Sequence, residues 1–113
     1  MNGILWKTTI IFSLLSFAAT LIIFLYSFVP PEKERSGEEI FLTFCKSCHL
    51  HGTTGAPRFG NKKDWDTRRI KGINVLTDHA INGFHGMPPR GTCLNCSGEE
   101  IKSAIYYMID SSN

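Results

Sequence analysis

The sequence lacks the patterns that would indicate a hydrolase, a nucleotide-binding protein or a nucleic-acid-binding protein. It contains no glycine-rich phosphate loop, no serine–histidine–aspartate order and no stripe of alternating basic and aromatic residues. Its net charge of +2 is too small to indicate binding to nucleic acid. Strand-like alternation is weak everywhere, so we predict an all-α protein with long loops. A length of 113 residues favours one small folded domain.

Charged residues are absent from the segment between Thr8 and Val29. As a helix, this segment would be roughly 33 Å long, about the thickness of the hydrocarbon core of a membrane. A cleaved signal peptide would have a shorter apolar core that ends in small residues, whereas Ala18 and Ala19 lie inside the run. We therefore predict a single uncleaved transmembrane anchor at residues 1–29.

The charges that flank this segment predict its orientation. Lys7 and the amino terminus precede the apolar run, which places the N-terminus in the cytoplasm by the positive-inside rule. The rest of the chain would then lie outside the cytoplasmic membrane, with lipid contacted through residues 8–29. A charged linker at residues 30–35 reaches at most roughly 20 Å, so the head domain predicted at residues 36–113 would stay close to the bilayer.

The four cysteines form two pairs with the same spacing but different neighbours. Cys45 and Cys48 are followed at once by His49, which is the attachment pattern of a c-type haem. We predict that the two thiols bind one covalent haem c and that His49 binds both the cofactor and its iron. Cys93 and Cys96 are followed by a serine, so we predict a disulfide, which an exported protein can form. A zinc site made by all four cysteines is the alternative, but the gap between the pairs exceeds the roughly 15–20 residues expected.

The sixth ligand of the iron must come from elsewhere in the chain. The candidates are two methionines and three histidines, namely Met87, Met108, His51, His79 and His85. Met87 is favoured because it lies in a proline-rich loop at residues 86–91 that is predicted to be extended and restrained. Met108 is interpreted as a core residue, and His85 is the main competitor. Ligation by histidine and methionine leaves no iron site open to substrate, which indicates electron transfer and not an enzyme.

Three more residues are predicted to lie at the cofactor, and two of them have an ordinary structural interpretation as well. A carbonyl near Pro57 would accept the Nδ1 proton of His49, although Pro57 could equally be a turn residue. Trp65 and Arg68 would suit the haem propionates, although Trp65 could simply pack in the core.

Helices in the head are predicted from capping residues and apolar spacing. The tetrapeptide Ser-Gly-Glu-Glu begins at Ser36 and again at Ser97, and each copy is predicted to be a capping box. The first helix is expected to end near Cys45 and the second near Asp110, and the two are expected to pack on each other. Between them we predict a loop at residues 51–71 and a short helix at residues 76–84.

The head resembles a known family over nearly its whole length. The pattern from Gly37 through Phe41 to the Cys45 motif resembles the first helix and haem site of class I cytochromes c, and residues 36–108 are similar to bacterial cytochrome c5. The motifs that carry this similarity are Gly55-Ala56-Pro57-x-Phe59-Gly60, Trp65-x-x-Arg68, Asp78-His79-Ala80, Gly83-Phe84, Met87-Pro88-Pro89-Arg90-Gly91, Cys93-x-x-Cys96-Ser97 and Tyr107-Met108. The resemblance implies a class I cytochrome c fold with three to four helices around one covalent haem. It also implies His49 and Met87 as axial ligands and a Cys93–Cys96 disulfide.

The resemblance further implies a periplasmic electron carrier of a bacterial respiratory chain. The electron donor would be a quinol-cytochrome c reductase-type complex, and the acceptor a terminal oxidase or another reductase. Family members are often soluble, so the predicted anchor raises an alternative, an integral haem subunit of a larger membrane oxidoreductase complex. Such a subunit could contact other transmembrane subunits or a second copy of the chain. A small haem peroxidase or gas sensor is a further alternative, and it requires Met87 to be off the iron.

Overall fold

The structure is a computed structural model that describes residues 2–30 and 32–113, without the side chain of Asn2. The chain divides into two compact units, one that ends at Lys33 and one at Glu34–Asn113. Across the described residues the secondary structure is helical, with no strand and one isolated bridge between Phe84 and Met87. The predicted all-α fold is therefore confirmed.

The first unit contains one long helix, α1, at Asn2–Ser27. Its described side chains are all exposed. Residues Gly3–Ser27 are long and apolar enough to cross a membrane, as judged by length and composition. A signal sequence near an N-terminus has the same properties, so the transmembrane anchor stays a prediction.

The second unit begins with a helical stretch whose middle turn is widened. Helix α2 is Gly37–Ile40, a π-helical segment follows at Phe41–Cys45, and α3 is Lys46–His49. The expected end near Cys45 is therefore wrong, because the chain stays helical through His49. A π-helical turn contains one residue more than an α-helical turn, and such turns are frequent at functional sites.

Three more helices complete this unit: α4 at Lys62–Arg69, α5 at Ile73–Asn82 and α6 at Gly98–Asp110. Short 3₁₀ turns occur at Thr53–Gly55 and Pro89–Thr92. The second of these turns corrects the expectation of an extended loop at residues 86–91. With the stretch that starts at α2, the described part of this unit contains four helical stretches. This number agrees with the three to four helices expected for a class I cytochrome c fold.

Helix α4 lies inside the segment that was predicted to be a loop. Asn61 caps it, because its side-chain oxygen accepts a hydrogen bond from the backbone N–H of Asp64 at 3.1 Å. Lys62 and Arg69 both pair with Asp66, at 2.7 and 2.5 Å. The glycines before Asn61 hid this helix from a pattern-based prediction, although the cap and the charge spacing were present in the sequence. Helix α5 likewise begins three residues before its predicted start.

The predicted packing of the first helix on the last is observed, since α2 contacts α6. A Cβ atom added to Gly37 would lie 2.2 Å from the backbone oxygen of Ser103, so the two helices approach as closely as glycine allows. Next to this crossing, the ring of Phe41 stacks on Phe59 with centroids 4.5 Å apart. The ring of Tyr107 packs beside both of them. This aromatic cluster joins α6 to the segment that carries Cys45.

Arg35, which the sequence placed in the linker, is bound to the second unit. Its side chain donates hydrogen bonds from Nε and Nη2 to the two carboxylate oxygens of Glu100, each at 2.9 Å. The backbone N–H of Arg35 donates to the same carboxylate at 3.0 Å. Glu100 is only 7% exposed. Its pKa is lowered to about 2, first by the side chain of Arg35 and then by backbone donors.

Candidate haem site

A cavity of about 770 Å³ opens in the second unit beside the Cys45–His49 segment. Its volume lies within the roughly 300–1,000 Å³ that is usual for small-molecule and cofactor sites. The lining is contributed by the π-helical segment, α3, α4, α5, α6 and the loops between them. All of the residues that the sequence predicts to bind the cofactor line this cavity: Cys45, Cys48, His49, Pro57, Trp65, Arg68 and Met87.

The two thiols of the attachment motif are free. Cys45 ends the π-helical segment and Cys48 lies in α3, so one continuous helical stretch presents both. Burial, and then the neighbouring Cys48, raises the pKa of the Cys45 thiol to about 11. Two unpaired thiols and an adjacent imidazole on one wall of a cavity this size fit a covalently attached haem.

His49 is held in one orientation by the backbone. Its Nδ1 lies 2.9 Å from the carbonyl oxygen of Pro57. That carbonyl can only accept, so the proton is on Nδ1 and the lone pair of Nε2 is left for a metal. The residue is 7% exposed, and burial lowers its pKa, as does the nearby charge of Arg68 to a smaller extent. The site therefore contains a neutral imidazole in the tautomer that coordinates iron.

Four of the five candidate sixth ligands line the same cavity, namely Met87, Met108, His79 and His85. The fifth candidate, His51, is not among the described residues that line the cavity. Met87 is held by two backbone hydrogen bonds with Phe84, at 2.9 and 3.0 Å, which close a tight turn. The cavity alone does not select one ligand, so the assignment of Met87 remains a proposal.

Trp65 and Arg68 use their polar groups differently. The indole N–H of Trp65 donates to the carbonyl oxygen of Arg58 at 3.0 Å, and the side chain is buried. Its ring lies nearly parallel to that of His49, with centroids 6.3 Å apart. Arg68 donates to the backbone oxygens of Asp64 and Gly55 and forms no ion pair with any carboxylate in the described ranges. Arg68 therefore brings a guanidinium to the cavity lining that has no ion-pair partner among the described residues.

Cys93 and Cys96 are joined by a disulfide, and both are buried. The bridge lies between the 3₁₀ turn that follows Met87 and the start of α6. The side chain of Arg90 donates a hydrogen bond to the carbonyl oxygen of Cys96. Because both sulfurs are used in this bridge, they are not available as ligands to zinc.

Comparisons with known proteins place this chain among haem proteins. A family model described as "Cytochrome C oxidase, cbb3-type, subunit III" matches residues 32–108. Cytochrome c5 of Azotobacter vinelandii is 38% identical over 76 residues, which cover 66% of this chain and 92% of that protein.

Two solved structures share the fold. A chain in the crystal structure of an electron transfer complex of nitrite reductase with cytochrome c is 28% identical, with a TM-score of 0.66 over 73% of this chain and 100% of its own length. A mono-haem ferrocytochrome c from Shewanella putrefaciens is 37% identical, with a TM-score of 0.61 over 67% of this chain and 94% of its own.

Proposed function

Because this chain belongs to the c-type cytochromes, as a class I, cytochrome c5-like member, we propose that it passes single electrons along a bacterial respiratory chain while anchored in the inner membrane. Its cofactor is one covalent haem c, and its relatives are electron carriers and not enzymes. The proposal adds three things to this class: the location of the protein, the ligands of its iron, and its electron donor and acceptor.

We assign covalent attachment to Cys45 and Cys48 and axial ligation to His49 and Met87. The observation that carries the assignment is the hydrogen bond from His49 Nδ1 to the Pro57 carbonyl, next to two free thiols. When bound, the haem supplies a one-electron iron couple whose potential is raised by a methionine ligand. The chain's own part is to hold the imidazole tautomer through Pro57, to fix the backbone of Met87 and to keep water out with an apolar lining.

The absorption spectrum of the oxidised full-length chain in detergent tests this assignment. We expect the weak far-red band of a sulfur–iron bond in the wild type. Met87→Ala should keep the haem on the chain in a denaturing gel, lose this band and lower the midpoint potential. Met108→Leu is the matched control, because it changes the other methionine in the cavity by a volume-conserving swap and should leave the band in place. If Met87→Ala keeps both the band and the potential, the ligand assignment is wrong.

The proposed donor is a quinol-cytochrome c reductase-type complex, and the proposed acceptor is a terminal oxidase or another reductase. The structural neighbour in complex with nitrite reductase supports a reductase as an acceptor, because a similar chain takes part in that complex. A peroxidase or gas sensor would need an iron with an open position, and the same spectrum would reveal it.

A second candidate function is an integral haem subunit of a larger oxidoreductase complex. The description of the matching family model, a subunit of a cbb3-type oxidase, favours this candidate. Native gel electrophoresis of membranes solubilised in a mild detergent separates the two. A haem-stained band at the size of the chain alone supports the carrier, whereas co-migration with larger subunits supports the fixed subunit.

A further inference from the structure

The disulfide loop carries a leucine that the head leaves exposed. Leu94 lies between Cys93 and Cys96 and is 85% exposed, whereas both cysteines are buried and joined to each other. Its backbone N–H donates to the Thr92 oxygen at 3.0 Å, so the loop has a fixed shape. Leu94 does not belong to the described lining of the haem cavity, and a bound haem would therefore leave it exposed. A single exposed leucine is ordinary on a protein surface, but this one lies where the membrane linker joins the head.

The linker is fixed to the head at this loop through Arg35. Its Nη2 donates to the Asn95 carbonyl oxygen at 3.4 Å and lies 3.7 Å from the Cys96 sulfur. The same nitrogen forms the ion pair with Glu100 at 2.9 Å. We call Arg35, Leu94, Asn95, Cys96 and Glu100 the tether face, because the chain that comes from the predicted anchor reaches the head here.

The linker is short compared with the head. From Val29, where the apolar run ends, to Arg35, the chain spans at most roughly 20 Å. The lipid headgroups take up about 5–7 Å of this distance. A folded unit with the length of Glu34–Asn113 has a diameter of roughly 30 Å. With residues 8–29 in the membrane, the tether face is therefore the part of the head that the linker keeps nearest to the lipid headgroups.

The ionic side chains at the tether face and on the first turn of α6 are paired within the head. Arg35 pairs with the buried Glu100 at 2.9 Å, and Lys102 pairs with Glu99 at 3.9 Å. A surface of paired charges is neither strongly attracted to a phospholipid layer nor strongly repelled by it. An exposed apolar side chain then decides whether this surface stays in contact with lipid.

We propose that the tether face rests on the phospholipid surface and that Leu94 inserts at the boundary between headgroups and acyl chains. The inference rests on the proposed function, in particular on the uncleaved anchor, and adds a lipid contact of the head to it. The disulfide already restricts the loop, so little conformational freedom is lost when Leu94 meets the lipid. The head then has one preferred orientation on the membrane and presents the same side to every partner.

Photocrosslinking of the full-length holoprotein in lipid nanodiscs tests this contact. The nanodiscs contain equal parts of phosphatidylethanolamine and phosphatidylglycerol. Leu94→p-benzoylphenylalanine introduces a photoreactive side chain, and irradiation should add the mass of a phospholipid to the peptide that contains position 94. Ile70→p-benzoylphenylalanine is the matched control, because Ile70 is 83% exposed but lies at the end of α4, outside the tether face. It should give no phospholipid adduct above the level of a sample kept in the dark.

The role of Arg35 is tested in the same nanodiscs. Arg35→Gln removes the ion pair with Glu100 and should let the head turn on its linker, so that adducts decrease at position 94 and appear at position 70. Lys33→Gln is the control, because it removes the same charge from an exposed position of the linker, and it should change neither yield. The absorption spectrum of each variant reports whether its haem site is intact.

Linear dichroism of the haem absorption in stacked bilayers measures the orientation of the head without a label. The wild type and Ile70→Ser should show the same dichroism, and Leu94→Ser should show less. Equal adduct yields at positions 94 and 70, no phospholipid adduct at position 94, or an unchanged dichroism in Leu94→Ser would each overturn the lipid contact. A purified chain whose intact mass lacks residues 2–29 would contradict the proposed anchoring itself, so the two failures are distinguishable.

Discussion

Two glycines in the same tetrapeptide context have different surroundings. Gly37 opens α2 and Gly98 opens α6, each directly after a capping serine. A Cβ atom on Gly37 would lie 2.2 Å from the backbone oxygen of Ser103, whereas on Gly98 it would lie 3.7 Å from the Cδ1 atom of Ile81. The absence of a side chain is thus required at Gly37, where two helices touch, and is incidental at Gly98.

We expect Gly37→Ala to lower the free energy of unfolding by about 1–3 kcal/mol, because the added methyl group forces the backbones of α2 and α6 apart. Gly98→Ala should be neutral or raise it by up to about 1 kcal/mol, since alanine favours the helix more than glycine does. Guanidinium chloride unfolding followed by haem absorbance measures both. Equal destabilisation by the two substitutions would mean that the close approach of the helices is not what Gly37 provides.

Single residues were predictable where their chemistry is local. Cys45, Cys48 and His49 lie within five positions, so their joint role is visible in the sequence alone. The two copies of Ser-Gly-Glu-Glu show the limit of this approach. At Ser97 the capping box is complete, with the Glu100 carboxylate accepting from the Ser97 N–H at 2.9 Å. At Ser36 only one of the two bonds forms, in which the serine hydroxyl accepts from the Glu39 N–H. In the described residues the Glu39 carboxylate does not accept from the Ser36 N–H.

At the scale of the helix, this difference follows from a partner far away in sequence. Glu100 is held by Arg35, 65 residues earlier, and is buried, whereas Glu39 is exposed. No local pattern encodes such a contact, and the sequence assigned Arg35 to a free linker. The start of α6 is therefore stabilised by its own capping serine and by an arginine from the opposite end of the unit.

Glu100 should make the stability of the head depend on pH. Its pKa falls from 4.5 in a free chain to about 2 in the fold. The carboxylate therefore contributes its full stabilisation above about pH 4.5, and the contribution is lost as the pH falls towards 2. Urea unfolding of Glu100→Gln should show a lower midpoint than the wild type at pH 7, with a difference that shrinks below pH 4.

Glu39→Gln is the control for this series, because Glu39 occupies the same position of the cap in α2 and its carboxylate accepts no hydrogen bond from any residue that the structure describes. Its effect on the urea unfolding midpoint should be small at every pH. A Glu100→Gln midpoint that follows the wild type at pH 7, or a difference that persists unchanged down to pH 2, would contradict the role of the ion pair with Arg35.

The prediction of a loop at residues 51–71 was wrong for the part that follows Gly60. Three glycines suggested irregular chain, and they do occupy turns before the helix. Helix α4 contains none of them and begins at its own cap, Asn61. Trp65 then fixes the helix to the unit, because its side chain is buried and its indole N–H donates to the Arg58 backbone.

At the scale of the whole molecule, we predict that the chain stays in the membrane with its N-terminus uncleaved. The full-length chain, produced in cells that attach haem c, should remain in the membrane pellet after an alkaline wash. Its intact mass should include residues 2–29 and one haem. A head released into the periplasm without these residues would identify α1 as a cleaved leader. A head exported behind a cleavable leader is the control, and it should be soluble with the same spectrum.

The class of the molecule and its cofactor were predictable from the sequence because attachment motif, capping residues and apolar spacing all agree. The choice among sixth ligands was not, since Met87, Met108, His79 and His85 all converge on one cavity. Distance along the chain does not report which of them faces the iron. That choice depends on side-chain orientation, which the ligand spectrum measures directly.

The π-helical turn at Phe41–Cys45 makes the haem motif sensitive to the number of residues as well as to their identity. Ile40, at the end of α2, is completely buried, and His49, at the end of α3, must point to the cavity. Each residue of an α-helix turns its successors by about 100°. Deleting one exposed residue from the turn, such as Leu42, would remove a side chain of little packing value and restore a regular helix. It would also rotate Cys45, Cys48 and His49 together away from the cavity. We therefore expect the length of this turn to be under stronger constraint than the side chains on its outer face.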